Sequence, residues 1–177
     1  MSSNRTCERV VAWPVFWNDA RAERGHDARY GFPVRTGAEV AVFVTRRQGS
    51  EVLILHRSPI QGGYWHVVAG GLEPGEEPDD AARRELAEET SLVTSVSGGP
   101  RVIEYVYPLT EEPADRRDQY DSSVVAVAVS CFVCEAADDW EPVLDWEHDE
   151  YRWCPPFEAA AILRWPETAR ALREMLL

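Results

Sequence analysis

The sequence predicts an α/β protein in which a mixed β-sheet is covered by helices. Three observations carry that expectation: short β-branched runs at 40–45 and 52–56, an acidic helical segment at 78–90, and an order of strands, helix, strands, helices along the chain. With 177 residues and 45% hydrophobic content, the chain makes one domain with a single core of its own. Residues 1–37 show no period and carry a charged stretch from Asp19 to Arg29, so they read as an N-terminal extension; the folded domain is 38–177.

Taken in order, the runs at 40–45 and 52–56 flank a Gln-Gly-Ser turn and form a hairpin. A Gly-rich loop follows and leads to the acidic helix. Proline is favoured at the first helical position and acids suit the positive end of the dipole, so Pro78, Asp79 and Asp80 start the helix, which ends near Thr90. Strands are expected at 101–107, 123–134 and 151–153, a polar loop at 111–120, and helices at 157–163 and 167–176. No internal repeat or low-complexity tract interrupts this order.

The charge balance excludes several classes of function. Lys and Arg number 18 against 31 Asp and Glu, and a formal charge of −13 opposes binding to nucleic acid polymers or anionic membranes. Pro14 breaks the apolar run at 10–17, which is neither a signal peptide nor a membrane span. Four cysteines are few for the length, so no disulfide framework is implied and the cytoplasm is the expected compartment. Cys131 and Cys134 lie in a Val/Ala-rich run and, three apart on a strand, point to opposite faces; with no second pair they read as core rather than a zinc site.

Chemistry concentrates in residues 70–92. At about 100° per residue, Glu85, Glu88 and Glu89 fall on one helical face, flanked by Ala82 and Leu86 as the stripe that anchors it. Like charges three and four apart cost about 0.2–0.5 kcal/mol per pair, so something should compensate. Mg²⁺ or Mn²⁺ would do so, because hard cations take carboxylate oxygens together with substrate phosphates; a solvated acidic face is the bland alternative. Arg84 is placed to orient a carboxylate or balance the cluster. Gly70, Gly71 and Gly75 allow close backbone approach to a metal or phosphate, and Glu76 at the junction can hold loop to helix.

These residues, Gly70-x5-Glu76-x7-Arg84-Glu85-Leu86-x-Glu88-Glu89-x-Ser91-Leu92, resemble the Nudix box. All but one of its specified positions agree, a coincidence expected in roughly one window in 10⁸ or fewer at average residue usage. The departure is Ser91, where the family has Gly after the helix end; a left-handed residue there favours Gly, so Ser costs a fraction of a kcal/mol or alters the turn. Residues 64–70, 147–153 and 164–172 extend the likeness to the branch of dATP and dihydroneopterin triphosphate pyrophosphatases, over 38–177 in all.

The resemblance implies a Nudix-like α/β/α sandwich and a metal-dependent pyrophosphohydrolase acting on a small phosphorylated substrate, a nucleotide by preference. It implies metal ligands at Glu85 and Glu89, helped by Glu88 and the Gly70 carbonyl, and a further metal-binding or base carboxylate at Glu147. It places catalytic work on Arg84, Glu85, Glu88 and Glu147, and substrate contacts on Arg57, Ala69 and Gly70. An ordinary acidic loop around Glu147 and a surface cation at Arg57 stay open as alternatives. So do another diphosphate substrate (ADP-ribose, a sugar nucleotide, an isoprenoid diphosphate) and a non-catalytic nucleotide-sensing module. Tyr105 and Tyr107 share one strand face and suit a pocket or the core alike. Trp65 is expected beneath the Gly loop, Trp153 and Trp165 in structural roles, and His56, His66 and His148 in structural or surface roles. Specificity is expected in loops such as 111–120. The oligomeric state, a homodimer included, is left open.

Overall fold

The computed structural model describes residues 7–11, 35–99, 102–112 and 114–177, with backbone alone at 8–11 and 115. Most of the extension, including the charged stretch 19–29, lies outside the described residues, as does Arg101 at the start of one expected strand.

Among the described residues, nine strands make one mixed sheet. β1 (Glu8–Val11) pairs with β9 (His148–Cys154), which pairs with β3 (Glu51–Arg57). β2 (Ala38–Arg46) runs antiparallel to β3 only at the hairpin end, Thr45↔Val52 and Arg46↔Glu51, and then the two strands part. The gap is filled by β4 (Trp65–His66) on β3 and β5 (Val68–Gly71) on β2. On its other edge β2 lies parallel to β8 (Ala126–Glu135), which also carries β6 (Ser97–Gly98) and β7 (Glu104–Pro108). The Gly-rich stretch expected as loop therefore holds two short strands, and part of the extension, Glu8–Val11, joins the sheet.

Alternation along β2 builds two cores. Val40, Val42 and Val44 meet Ala81, Ala82 and Leu86 of α1 (Pro78–Thr90) on one side. Ala41 and Phe43 meet Ala159 and Ala160 of α3 (Pro156–Ile162) and Leu172 of α4 (Pro166–Leu176) on the other. Helices on both faces give the α/β/α sandwich that the sequence predicts. Cys131 belongs to one core and Cys134 to the other, both thiols pushed up to about 12 by burial.

Four local expectations need correction. The 111–120 loop contains α2 (Ala114–Arg117), a single helical turn too short to show a period. The strand expected from 123 begins at Ala126, because Asp121 Oδ1 accepts from the Ser123 backbone N–H (2.8 Å) and hydroxyl (2.6 Å) and holds a turn there. The strand expected from 101 begins at Glu104, after a turn in which the Val102 N–H donates to the Gly99 carbonyl (2.9 Å). Finally, a disulfide joins Cys7 to Cys154, where the β1/β9 register sets Glu8 against Trp153. Such links are rare in reducing compartments, so the cysteine count no longer argues for one. Among the described residues no helix is long and apolar enough to cross a membrane.

Candidate active site

The cleft is assembled where β5 runs into α1. Proline at N1 and Asp79 and Asp80 in the first turn start the helix; Ser91 in the left-handed region (φ 62°, ψ 16°) ends it, its N–H donating to the Ala87 carbonyl (3.0 Å). Between these ends Leu86 and Ala82 fix the rotation, so Glu85 and Glu89 turn toward β5.

Glu85 lies directly on Gly70, where a Cβ would collide with its carboxyl group. Glu89 is 3% exposed, and its Oε2 accepts from the Ala69 backbone N–H (3.3 Å). Burial raises both carboxyls above their ordinary range. For Glu85, Arg84 opposes the rise while Glu88 and Glu147 add repulsion; for Glu89, Arg57 opposes it while Glu85 and Asp145 add to it. Glu85 thus stands at the centre of the acids expected at the site, with Glu88, Glu89 and Glu147 each close enough to interact with it.

Two arginines hold the cluster together. Arg84 grips Glu76 with Nε and Nη2 (2.9 Å each), donates to the Gly71 carbonyl (2.9 Å), and reaches Glu85 (2.6 Å) and Glu88 (3.4 Å) through Nη1. One side chain thus ties loop, helix and carboxylates, and these bonds hold Glu76 below the usual carboxylate range. Arg57 is re-aimed by a β-bulge between His56 and Arg57. It contacts Glu147 through Nη1 and lies 3.9 Å from Glu89, while its buried Nε–H has no partner among the described residues.

Among the described residues no three His, Cys, Asp or Glu side chains converge into a ready-made metal cage. The arginines occupy the carboxylate oxygens instead. The donor set still fits a hard divalent cation: it is all oxygen, it has a cradle at Gly70 that a Cβ would fill, and it carries more acid than its two arginines neutralise.

From this cluster a cleft runs past Ala69 and Gly70 to a ring-lined end made by Tyr64, Tyr105, Tyr107 and Trp165, with Arg35, Glu39, Glu112 and Arg116 around it. Trp165, expected in a structural role, lines the cleft: its ring lies nearly parallel to Tyr107 (centroids 6.4 Å apart, 11°), with Tyr64 edge-on (6.2 Å, 75°). Trp65 packs instead under the Arg152 guanidinium (4.3 Å), and Trp153 is buried with its indole N–H on Glu141 (3.0 Å). His66 and His148 are buried beside the cluster, their Nε2 atoms 2.7 Å apart and His148 Nδ1 2.6 Å from Asp145. His66 and His148, expected in structural or surface roles, are buried, and His66 lines the cleft; Glu112, within the 111–120 loop expected to carry specificity, lines it too but was not singled out, because neither periodicity nor spacing says which side chains meet; His56 is half-buried against Asp149.

A helix bearing glutamates, seated on a glycine loop at the mouth of an aromatic cleft, gives this α/β/α sandwich an acidic site of the kind that the box motif implied. The NUDIX domain family model matches residues 35–175, and the chain belongs to that family. It is similar to an octanoyltransferase of Myxococcus xanthus, 48% identical over 60 residues that make 34% of this chain but only 16% of that protein. It is 26% identical over 148 residues to a dihydroneopterin triphosphate diphosphatase of Haemophilus influenzae, covering 80% of this chain and 89% of that one. The solved structure of the E. coli dihydroneopterin triphosphate pyrophosphohydrolase shares the fold, with a TM-score of 0.70 at 20% identity over 82% of this chain and 98% of that one.

Proposed function

We propose that this chain is a metal-dependent pyrophosphohydrolase that cuts a phosphoanhydride bond in a nucleoside triphosphate or a related nucleoside-diphosphate-linked substrate. The observation that carries the reading is the seating of Glu85 on Gly70 and of Glu89 on the Ala69 N–H, beside an arginine with a spare donor. Likeness to a relative named for dihydroneopterin triphosphate supports a triphosphate substrate.

Glu85, Glu88, Glu89, Glu147 and the Gly70 carbonyl would hold Mg²⁺ or Mn²⁺. When bound, the cation supplies compact positive charge against the diphosphate. The Arg57 Nε–H donates to a phosphate oxygen, a charge-assisted bond that orients the chain of phosphates. Arg84 fixes the rotamer of Glu85, and Glu85 or Glu147 takes the proton of the attacking water. The new oxygen–phosphorus bond forms as the bridging oxygen–phosphorus bond breaks, and the bridging oxygen leaves with the departing phosphate. The closed chain of loop, helix and arginine keeps these groups in place before substrate arrives.

Glu89→Gln tests the assignment. It replaces a buried carboxyl with an amide of the same shape, so the variant should fold as well as the parent while turnover with Mg²⁺ drops by roughly a hundredfold or more. Phosphate, pyrophosphate and monophosphate released from a panel of nucleoside triphosphates and dinucleotide diphosphates give the measurement; near-native turnover would reject the site.

A further inference from the structure

The ring-lined end of the cleft holds a group that the proposed chemistry does not use. Glu112 is 6% exposed, and its Oε1 accepts from the Tyr107 hydroxyl (2.7 Å). Its Oε2 is buried and, among the described residues, makes no hydrogen bond; the nearest cation, Arg116 Nε, stands 3.7 Å away. An unmade bond on a buried carboxylate oxygen is costly, and such groups are rare without a ligand or water to complete them. The neighbouring Glu39 shows the contrast: its oxygens accept from Tyr120 (2.7 Å) and Tyr107 (3.3 Å). Lining the same end of the cleft stands the near-parallel pair Tyr107 and Trp165, whose ring faces suit a planar head group.

We infer that Glu112 is a specificity-determining residue that reads two adjacent N–H donors on the edge of a planar heterocycle stacked against Tyr107 and Trp165. A carboxylate has two oxygens side by side and about four lone-pair positions, and among the described residues one of those positions is taken by a protein donor. Among the ordinary bases, guanine alone sets a ring N–H next to an amino group. Adenine and cytosine set an amino group beside a ring lone pair, and uracil flanks its N–H with two carbonyls, so each would bring an acceptor against the carboxylate. Hypoxanthine keeps the ring N–H and lacks the amino group, so it should fall between. This inference rests on the proposed nucleotide chemistry for its substrate class and assigns the group that selects within that class.

The test separates binding from turnover. Dissociation constants of non-hydrolysable α,β-methylene analogues of GTP, ITP and ATP are measured calorimetrically with Mg²⁺ for the parent and for Glu112→Gln, whose amide would set its own N–H against the base. The parent should prefer the guanosine over the adenosine analogue by roughly ten- to hundredfold, with the inosine analogue between them. Glu112→Gln should lose that preference: the guanosine analogue weakens while the adenosine analogue holds or gains affinity, because the amide offers a donor to the adenine ring lone pair and an acceptor to its amino group. A parent without the preference, or a Glu112→Gln protein of native melting temperature that keeps it, overturns the inference. If the parent hydrolyses no nucleotide yet binds the guanosine analogue selectively, the proposed activity fails and the reading of Glu112 stands.

Discussion

At Gly70 the difference between a hydrogen and a methyl group decides where a carboxylate sits. The backbone there is in ordinary strand geometry, so alanine would not strain it; the obstacle is Glu85, whose carboxyl occupies the space a Cβ needs. Gly70→Ala should therefore push Glu85 off the loop and lower kcat by about a hundredfold, the scale on which a misplacement of about an ångström tells, with a smaller effect on KM. Steady-state kinetics with Mg²⁺, alongside a melting curve showing the variant folded, check this; an unchanged kcat would separate Gly70 from the chemistry. The importance of this glycine was legible in the sequence, because the spacing from Gly70 to Glu85 belongs to a pattern that resembles the Nudix box. The sequence pointed to the 111–120 loop without singling out Glu112, since that residue's meaning comes from Tyr107 and Trp165, which only the folded chain brings to the same cleft.

At the scale of the element, α1 was readable from end to end because each of its signals is local: proline at N1, acids in the first turn, an Ala82/Leu86 stripe, and a residue that must turn left-handed to stop it. That last position is Ser91, with φ 62°, and an L side chain there costs about 1–2 kcal/mol that glycine escapes. Its hydroxyl lies 3.5 Å from the Val143 carbonyl, too long to compensate. Ser91→Gly should accordingly stabilise the protein by about 0.5–1 kcal/mol, after the extra freedom it gives the unfolded chain. Chemical denaturation should show a raised midpoint at unchanged slope, with kcat unaltered; a lowered midpoint would mean that the serine contributes something the helix end does not reveal. α2 and the short strands β4 and β5 escaped reading for the opposite reason. They are held by register with β3 and β2 or by a single turn of backbone bonds, and two to four residues are too few to display a period.

Across the whole molecule, the alternation of β2 between two cores was foreseeable from its pattern, whereas the contact between His66 of β4 and His148 of β9, two strands that each pair with β3, was not, and both histidines are buried. His66 faces His148 with rings 4.9 Å apart. Burial first, then the nearby His148, Arg57 and Arg116, hold the His66 imidazole well below its ordinary value. The sign of the consequence is fixed by linkage. Near pH 7.5 neither state carries the proton, so His66 costs nothing; as pH falls through the ordinary imidazole value of about 6.5, the unfolded chain binds a proton that the folded one refuses. Stability then declines by up to about 1.4 kcal/mol per pH unit, until the lowered folded-state value is reached. The buried Glu85 and Glu89 act in the opposite direction, because carboxyls raised by folding favour the native state as pH falls. The net curve therefore mixes both signs, and the diagnostic quantity is the difference between the parent and His66→Gln, which cannot titrate. Between pH 7.5 and 5.5, urea denaturation should show the parent losing stability relative to that variant by about one proton's slope. Parallel curves over that range would mean that folding leaves the His66 imidazole as ready to take a proton as in the unfolded chain, contradicting the effect of its burial.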